Sequence, residues 1–250
     1  MSATCILTDS TACFTRANYA GQEHVYLIPC TLQSGGQTIS DGNDLSLLGQ
    51  LSTDNLTPSI QAYAPSIESF QSMYRRLGQT YQNIIVILMS SHLSRAVNHA
   101  LQAAQVPKSP AAIHIIDSQT SAVGLGFLVH SAAEAIQRGI PPAEITRLIR
   151  GLTRHVYAIF CLPDLSYLAH AGQLDPAQAV VGEMLGMLPL FIMENGSLVH
   201  TYKIRSPRHM VDIMFEFIAE FEHLRHVSIL QGVPFFEQES RNLRERIHQN

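Results

Sequence analysis

Ser90, Ser91 and Ser94 follow directly on a continuous apolar run, Ile84-Ile-Val-Ile-Leu-Met89, with His92 among them and Arg95 just beyond. The run reads as a buried strand, and the residues from Arg95 to Gln105 read as a helix. Hydroxyls placed where a strand ends and a helix begins suit the capture of an anion. The first-turn N–H groups have no intrahelical partner, and the helix dipole is positive there. The plainer reading of the same residues is a serine-capped helix.

Two further apolar runs end in the same dipeptide, Asp9-Ser10 and Asp117-Ser118. Strand ends of this kind are where open α/β sheets bind ligands. Paired aspartates there suggest a metal, but no third partner accompanies them, and loop capping explains them equally. A G-x-S-x-G nucleophile motif is absent. Gly124-Leu-Gly126 lacks the third glycine of a dinucleotide fingerprint and a phosphate-loop lysine, so no nucleotide cofactor is expected, and its glycines fit close helix packing.

The twelve histidines are scattered, without H-E-x-x-H. The four cysteines, Cys5, Cys13, Cys30 and Cys161, form no C-x-x-C pair. These patterns argue against a metal site and for reduced thiols in a cytoplasmic protein, as does the lack of a signal peptide. Met184, Leu185, Met187, Leu188, Phe191 and Met193 are flexible apolar side chains that suit either an apolar ligand or an ordinary core. Lys203-Ile-Arg205 suits either an acidic partner or a solvated strand end.

Composition narrows the class. Of 250 residues 46% are hydrophobic and only 14% charged, with a formal charge of −4. Nucleic acid calls for a basic footprint, so it is excluded. No apolar run approaches the ~20 residues that cross a bilayer, so membrane insertion is not expected.

The elements that must position these residues follow in order. Strands are expected at Thr4–Thr8, Val25–Leu32, Gln37–Ile39, Ile84–Met89 and Ala111–Ile116. Helices are expected near Leu45–Leu51, after the cap Ser66, at Ser94–Gln105, Gln119–Arg138 and from Pro142 to Arg154. Alternating strands and helices imply a parallel sheet with crossover helices. Beyond Arg154 the rhythm changes. A strand to Cys161, a helix Pro163–Ala171, a turn at Gly172-Gln173 and a helix Pro176–Gly186 lead to strands Leu188–Glu194 and Ser197–Ile204. Asn195-Gly196 joins those two as a hairpin. A helix from Pro207 to about Leu224, a strand His226–Gln231 and a polar helix Glu237–Gln249 complete the chain. The expected architecture is α/β in two domains, a parallel-sheet domain over residues 1–153 and an α+β domain with an antiparallel hairpin over residues 154–250.

Taken in order, these segments resemble the DegV family of bacterial lipid-binding proteins. Ile6-Leu-Thr-Asp-Ser-Thr-Ala12 is similar to its opening strand and Asp-Ser-Thr-Ala motif, and Ala64-Pro65-Ser66 lies where the family has Thr-Ser-Gln-Pro-Ser. Ser90-Ser91-His92-Leu93-Ser94 matches the core of Ser-Ser-x-Leu-Ser-Gly-Thr. Asp117-Ser118 with Gly124-Leu-Gly126 matches the Asp-Ser…Gly-x-Gly helix start. Leu165-Ser-Tyr-Leu168 with Gly172 resembles Leu-x-Tyr-Leu-x-x-Gly-Gly-Arg, and the segment from Met187 to Arg205 continues the order.

The resemblance implies a fatty acid in a tunnel between two domains, its carboxylate held by hydroxyls of the two serine loops. It also implies a protein that is not a catalyst, needs no cofactor, and presents the acid to a separate fatty-acid kinase for phospholipid synthesis. Ser91 and Ser94 become the leading head-group anchors, supported by Ser90, Tyr63, Ser66, Arg95, Ser10 and Gln173, with Thr8 near the sheet edge. Lys203 and Arg205 become the kinase-facing surface.

The sequence departs from the pattern in places. The family's threonine is Ala62, its Gly-Thr is Arg95-Ala96, its arginine is Gln173, and its C-terminal Gly- and Pro-rich segment with a histidine is expected to be missing. Arg95 is expected to replace lost donors. The alternatives are a degenerate relative that binds another small anionic or lipidic ligand, or an enzyme on a small carboxylated or phosphorylated substrate with His92 or Asp117 as base near Ser91.

Overall fold

The computed structural model describes residues 3–34, 37–40, 61–106, 109–162, 165, 169, 174–232 and 236–249. The chain divides into two compact units, Met1–Tyr157 with Asn195–Ser197, and Ala158–Glu194 with Leu198–Asn250.

The first unit is built on a parallel sheet of β1 (Thr4–Asp9), β2 (Val25–Ile28), β6 (Asn83–Leu88) and β7 (Ala112–Asp117), in the order β2-β1-β6-β7. Ile84 to Leu88 are fully buried, as a continuous apolar run in a covered parallel sheet should be. Alternate side chains go to opposite faces. Cys5, Leu7, Ile84, Val86 and Leu88 pack on α1 (Ile67–Gly78) and α2 (Ala96–Ala104). Ile6, Ile85, Ile87 and Ile116 pack with residues of α3 (Ala122–Gln137) and α4 (Pro142–Thr153). Burial pushes the Cys5 thiol up to about 12, so it stays protonated within this core. Gly126 of α3 lies against the loop after β1. A Cβ there would sit 2.1 Å from the Cys13 carbonyl oxygen, which explains the small residue within an apolar helix.

The expected strand Val25–Leu32 is two strands. Pro29 lacks the N–H that a continuing ladder needs. Beyond it the chain enters a separate antiparallel sheet, β4-β3-β5, of β3 (Thr31–Ser34), β4 (Gln37–Ser40) and β5 (Gln61–Tyr63). β5 has no counterpart among the sequence expectations. The helix expected near Leu45–Leu51 lies outside the described residues.

The second unit holds the antiparallel sheet β10-β9-β8, made of β8 (Ile159–Cys161), β9 (Leu188–Glu194) and β10 (Ser197–Ile204). Asn195 and Gly196 take φ of 48° and 86°, as the expected hairpin turn requires. α5 (Pro176–Met184) is capped by Asp175, whose side chain accepts from the N–H groups of Ala177 and Gln178. α6 (Pro207–Ala219) is capped by Ser206. α7 (Glu237–Gln249) docks on α6 through Arg246, which bonds Asp212 at 2.7 Å and lies over the Phe215 ring.

The Met-rich stretch splits in role. Phe191 and Met193 are buried, whereas Met184 and Leu185 are exposed. No strand forms at His226–Gln231, where exposed Val227 and Leu230 have no partner strand among the described residues. The helix expected at Pro163–Ala171 and the Gly172-Gln173 turn fall almost wholly outside the described residues. No described helix is long and apolar enough to cross a membrane.

Candidate functional site

Three loops meet at the carboxyl end of the parallel sheet, one each after β1, β6 and β7. The middle loop, residues 89–95, carries the serine motif, and an aspartate holds it from either side. On the β1 side Asp9 is only 1% exposed. Its Oδ2 accepts from the Met89 N–H at 2.8 Å, and its Oδ1 accepts from the Thr11 N–H at 3.0 Å and from the Thr11 hydroxyl. On the β7 side the Ser91 N–H lies 3.3 Å from both oxygens of Asp117. The Ser91 hydroxyl donates to Oδ2 at 2.5 Å, and the Gln119 N–H donates to Oδ1 at 2.9 Å. Charge-assisted bonds of this kind are about twice as strong as neutral ones, so the start of the loop is fixed from both flanking strands. Gln119 itself is held at φ 52°, an uncommon conformation for a residue with a side chain.

The serines differ sharply. Ser90 is fully buried. Its hydroxyl donates to the Gly196 carbonyl at 2.6 Å and receives the His92 N–H at 3.2 Å. Its own N–H donates to the Thr120 carbonyl at 2.9 Å. Ser90 therefore secures the loop, its hydroxyl engaged within the fold. Ser91 is half-buried, with its hydroxyl proton given to Asp117. Ser94 is half-buried, and its Oγ accepts from the Ala96 N–H at 3.2 Å. The Ser94 proton has no acceptor among the described residues. Arg95 occupies the N-cap position of α2, exposed and without a side-chain capping bond.

The remaining candidates are more scattered. Ser66 caps α1 by accepting from the Ser69 N–H at 3.2 Å. Backbone and Ser66 hydrogen bonds hold the exposed Glu68 carboxyl below its ordinary range in the same first turn. His99 Nδ1 lies 2.8 Å from the Pro65 carbonyl oxygen, tying that loop to α2. Tyr63 is 45% exposed at the end of β5, and its hydroxyl donates to Gln61 at 2.5 Å. The Ser10 hydroxyl accepts from the Cys30 N–H at 2.9 Å, so it braces the β2–β3 turn. Thr8 is buried, with no partner for its hydroxyl among the described residues. His92 and Arg205 are exposed. Gln173 and the Lys203 side chain lie outside the described residues.

The sequence reading did not join Asp9 to Met89, nor Asp117 to Ser91 as a hydrogen-bonded pair within a carrier. The repeated strand–Asp-Ser signal was the available clue. It gains meaning only when β1 and β7 are known to flank β6.

The family model described as "Uncharacterised protein, DegV family" matches residues 3–248. Protein DegV of Bacillus subtilis is 27% identical over 219 residues, covering 86% of this chain and 76% of the relative. A DegV domain-containing protein of Clostridium perfringens is 26% identical over 251 residues, covering 97% and 87%. Among solved structures, the fold is similar to that of the fatty acid kinase (Fak) B3 protein of Streptococcus pneumoniae loaded with linoleic acid. That likeness has a TM-score of 0.80 at 20% identity and covers 99% of this chain and 88% of that one. It is also similar to DegV, a fatty acid binding protein from Bacillus subtilis, with a TM-score of 0.70 at 24% identity over 88% and 78%. With the family model spanning nearly its full length, the chain belongs to the DegV family.

Proposed function

We propose that the protein is a non-catalytic cytoplasmic carrier of a fatty acid or similar single-chain lipid, with the head group seated on the serine loop. The observation that carries this reading is the hydroxyl proton of Ser94, which has no acceptor among the described residues, at the N-terminus of α2 beside Ser91 and Arg95. A carboxyl group leaving water needs such donors to offset its desolvation. Ser94 and the first-turn N–H groups of α2 supply them, and Arg95 stands in for the family threonine that is Ala62 here. Ser91 shapes the seat, with Tyr63 and Ser66 as supporting groups of the same unit. Fatty acids bound by the family's solved members support the reading. The kinase component among them supports presentation of the acid to a fatty-acid kinase across a surface that includes Lys203 and Arg205.

Native mass spectrometry of freshly purified protein, with extraction of bound lipid, tests the class. An acyl chain is expected, and its absence even after loading would favour a degenerate relative. Ser94→Ala should weaken fatty-acid binding about tenfold, the value of one charge-assisted bond. Arg95→Ala should weaken it less, because the guanidinium is exposed. If Arg95→Ala leaves binding unchanged, Arg95 does not replace the missing donors.

One observation favours a second reading. The 2.5 Å bond from Ser91 to Asp117 also resembles a nucleophile with its base. Labelling of Ser91 by a fluorophosphonate would support an enzyme, and an unlabelled Ser91 would remove that reading.

A further inference from the structure

This inference rests on the carrier reading and concerns what keeps the serine loop in its shape. Strands β9 and β10 fall in the second unit, yet the turn that joins them, Asn195–Ser197, groups with the first. Its tip rests on the loop after β6. The Gly196 carbonyl accepts the proton of the Ser90 hydroxyl at 2.6 Å. A Cβ added to Gly196 would lie 2.5 Å from the Ser90 Oγ, and 3.3 Å from both the Gln119 Cα and the His92 Cδ2. The tip is thus pressed against the loops after β6 and β7 at once. Gly196 reaches this place at φ 86°, a conformation that residues with a side chain rarely adopt.

Ser90 passes the contact on. It is fully buried, and successive N–H groups of the loop converge on it. Its hydroxyl oxygen accepts from His92 at 3.2 Å, and its carbonyl accepts from Leu93 and Ser94, each at 3.0 Å. A buried hydroxyl proton left without an acceptor is costly. Without Gly196 the Ser90 side chain must therefore seek another partner, and the geometry that receives His92 goes with it. The loop after β7 is under strain of its own, with Gln119 at φ 52° and Ala122 at φ 50°. Such conformations persist only where their surroundings over-determine them. Gly196 against Gln119 is one such neighbour, and the Thr120 carbonyl beside it takes the Ser90 N–H at 2.9 Å.

We propose that the Asn195–Gly196 turn is a positioning element for the head-group seat. Seated on Ser90, it holds the backbone that carries Ser94 ready for the acid; withdrawn, it lets the acid go. Gly196 acts through Ser90 and is a positioning residue. A turn that favours acid binding must itself be favoured by bound acid, and by the same factor. A bond that is merely structural carries no such dependence on the ligand.

The test uses delipidated full-length protein and hexadecanoic acid. Affinity is measured by equilibrium titration. Amide exchange at Asn195–Ser197 is followed with and without the acid, and the turn at Gly139 serves as the reference. The acid is expected to slow exchange in the Asn195–Ser197 turn at least about fivefold and to leave the reference unchanged. Equal exchange with and without bound acid would overturn the inference while leaving the carrier reading intact.

Gly196→Ala drives a Cβ against Ser90 and Gln119, and should weaken acid binding at least about fivefold. Gly139→Ala imposes similar backbone strain, at φ 74°, at the far end of α3 from the three loops. It should leave the affinity unchanged. Equal losses in the two variants, or none in a folded Gly196→Ala, would also overturn the inference. If Gly196→Ala does not fold, the exchange measurement on the wild type decides alone. If the wild type binds no hexadecanoic acid, the carrier reading falls and this inference with it.

Discussion

Asp9 and Asp117 end the two strands that flank β6, each is followed by serine, and each accepts an N–H from the same central loop. Their surroundings separate them. Asp9 is enclosed, and its contacts include Met89 and its own neighbour Thr11. Asp117 is half-exposed and takes in addition the hydroxyl of a residue that faces the candidate seat. The same dipeptide is thus enclosed on one side of the loop and half-exposed on the other.

Three substitutions test that contrast, from the largest expected effect to the smallest. Asp9→Ala strands the part-buried Met89 N–H and removes charge-assisted bonds. It should cost about 3 kcal/mol in urea unfolding. A loss near zero would mean that the β1 side does not hold the loop. Asp117→Ala leaves its donors reachable by water, so about 1 kcal/mol is expected from the same measurement. A loss equal to that of Asp9→Ala would erase the distinction. Ser91→Ala leaves the Ser91 N–H and Gln119 N–H on Asp117, and stability should shift by about 0.5 kcal/mol or less while lipid binding weakens. A large stability loss with unchanged binding would make Ser91 structural.

Much of the fold was legible in the sequence. Continuous apolar runs marked β1, β6 and β7, Ser66 and Ser206 marked helix starts, and Asn195-Gly196 marked the hairpin. Each signal is local. The failures were matters of pairing. Val227 and Leu230 suggested a strand that has no neighbour to bond with. Gln61 to Tyr63 carries little strand pattern and becomes β5 because β3 offers it an edge. The site divided in the same way. The serine loop was visible, but the partners of its hydroxyls, Asp117 and Gly196, lie far along the chain and are joined to it only in the folded first unit.

The bond from Met89 to Asp9 joins residues 80 positions apart, and β1 pairs with β6 and not with the next strand along the sheet's outer edge alone. During synthesis β1 therefore emerges well before the strand that completes it. At about 5–20 residues per second the wait is roughly 4–16 s, long compared with the microseconds in which a short chain collapses. For that interval Cys5, Ile6 and Leu7 lack their permanent neighbours on one side. The nascent chain should thus be a client for holding chaperones until Leu88 has left the ribosome, and arrest of translation before that point should leave the N-terminal segment sensitive to protease.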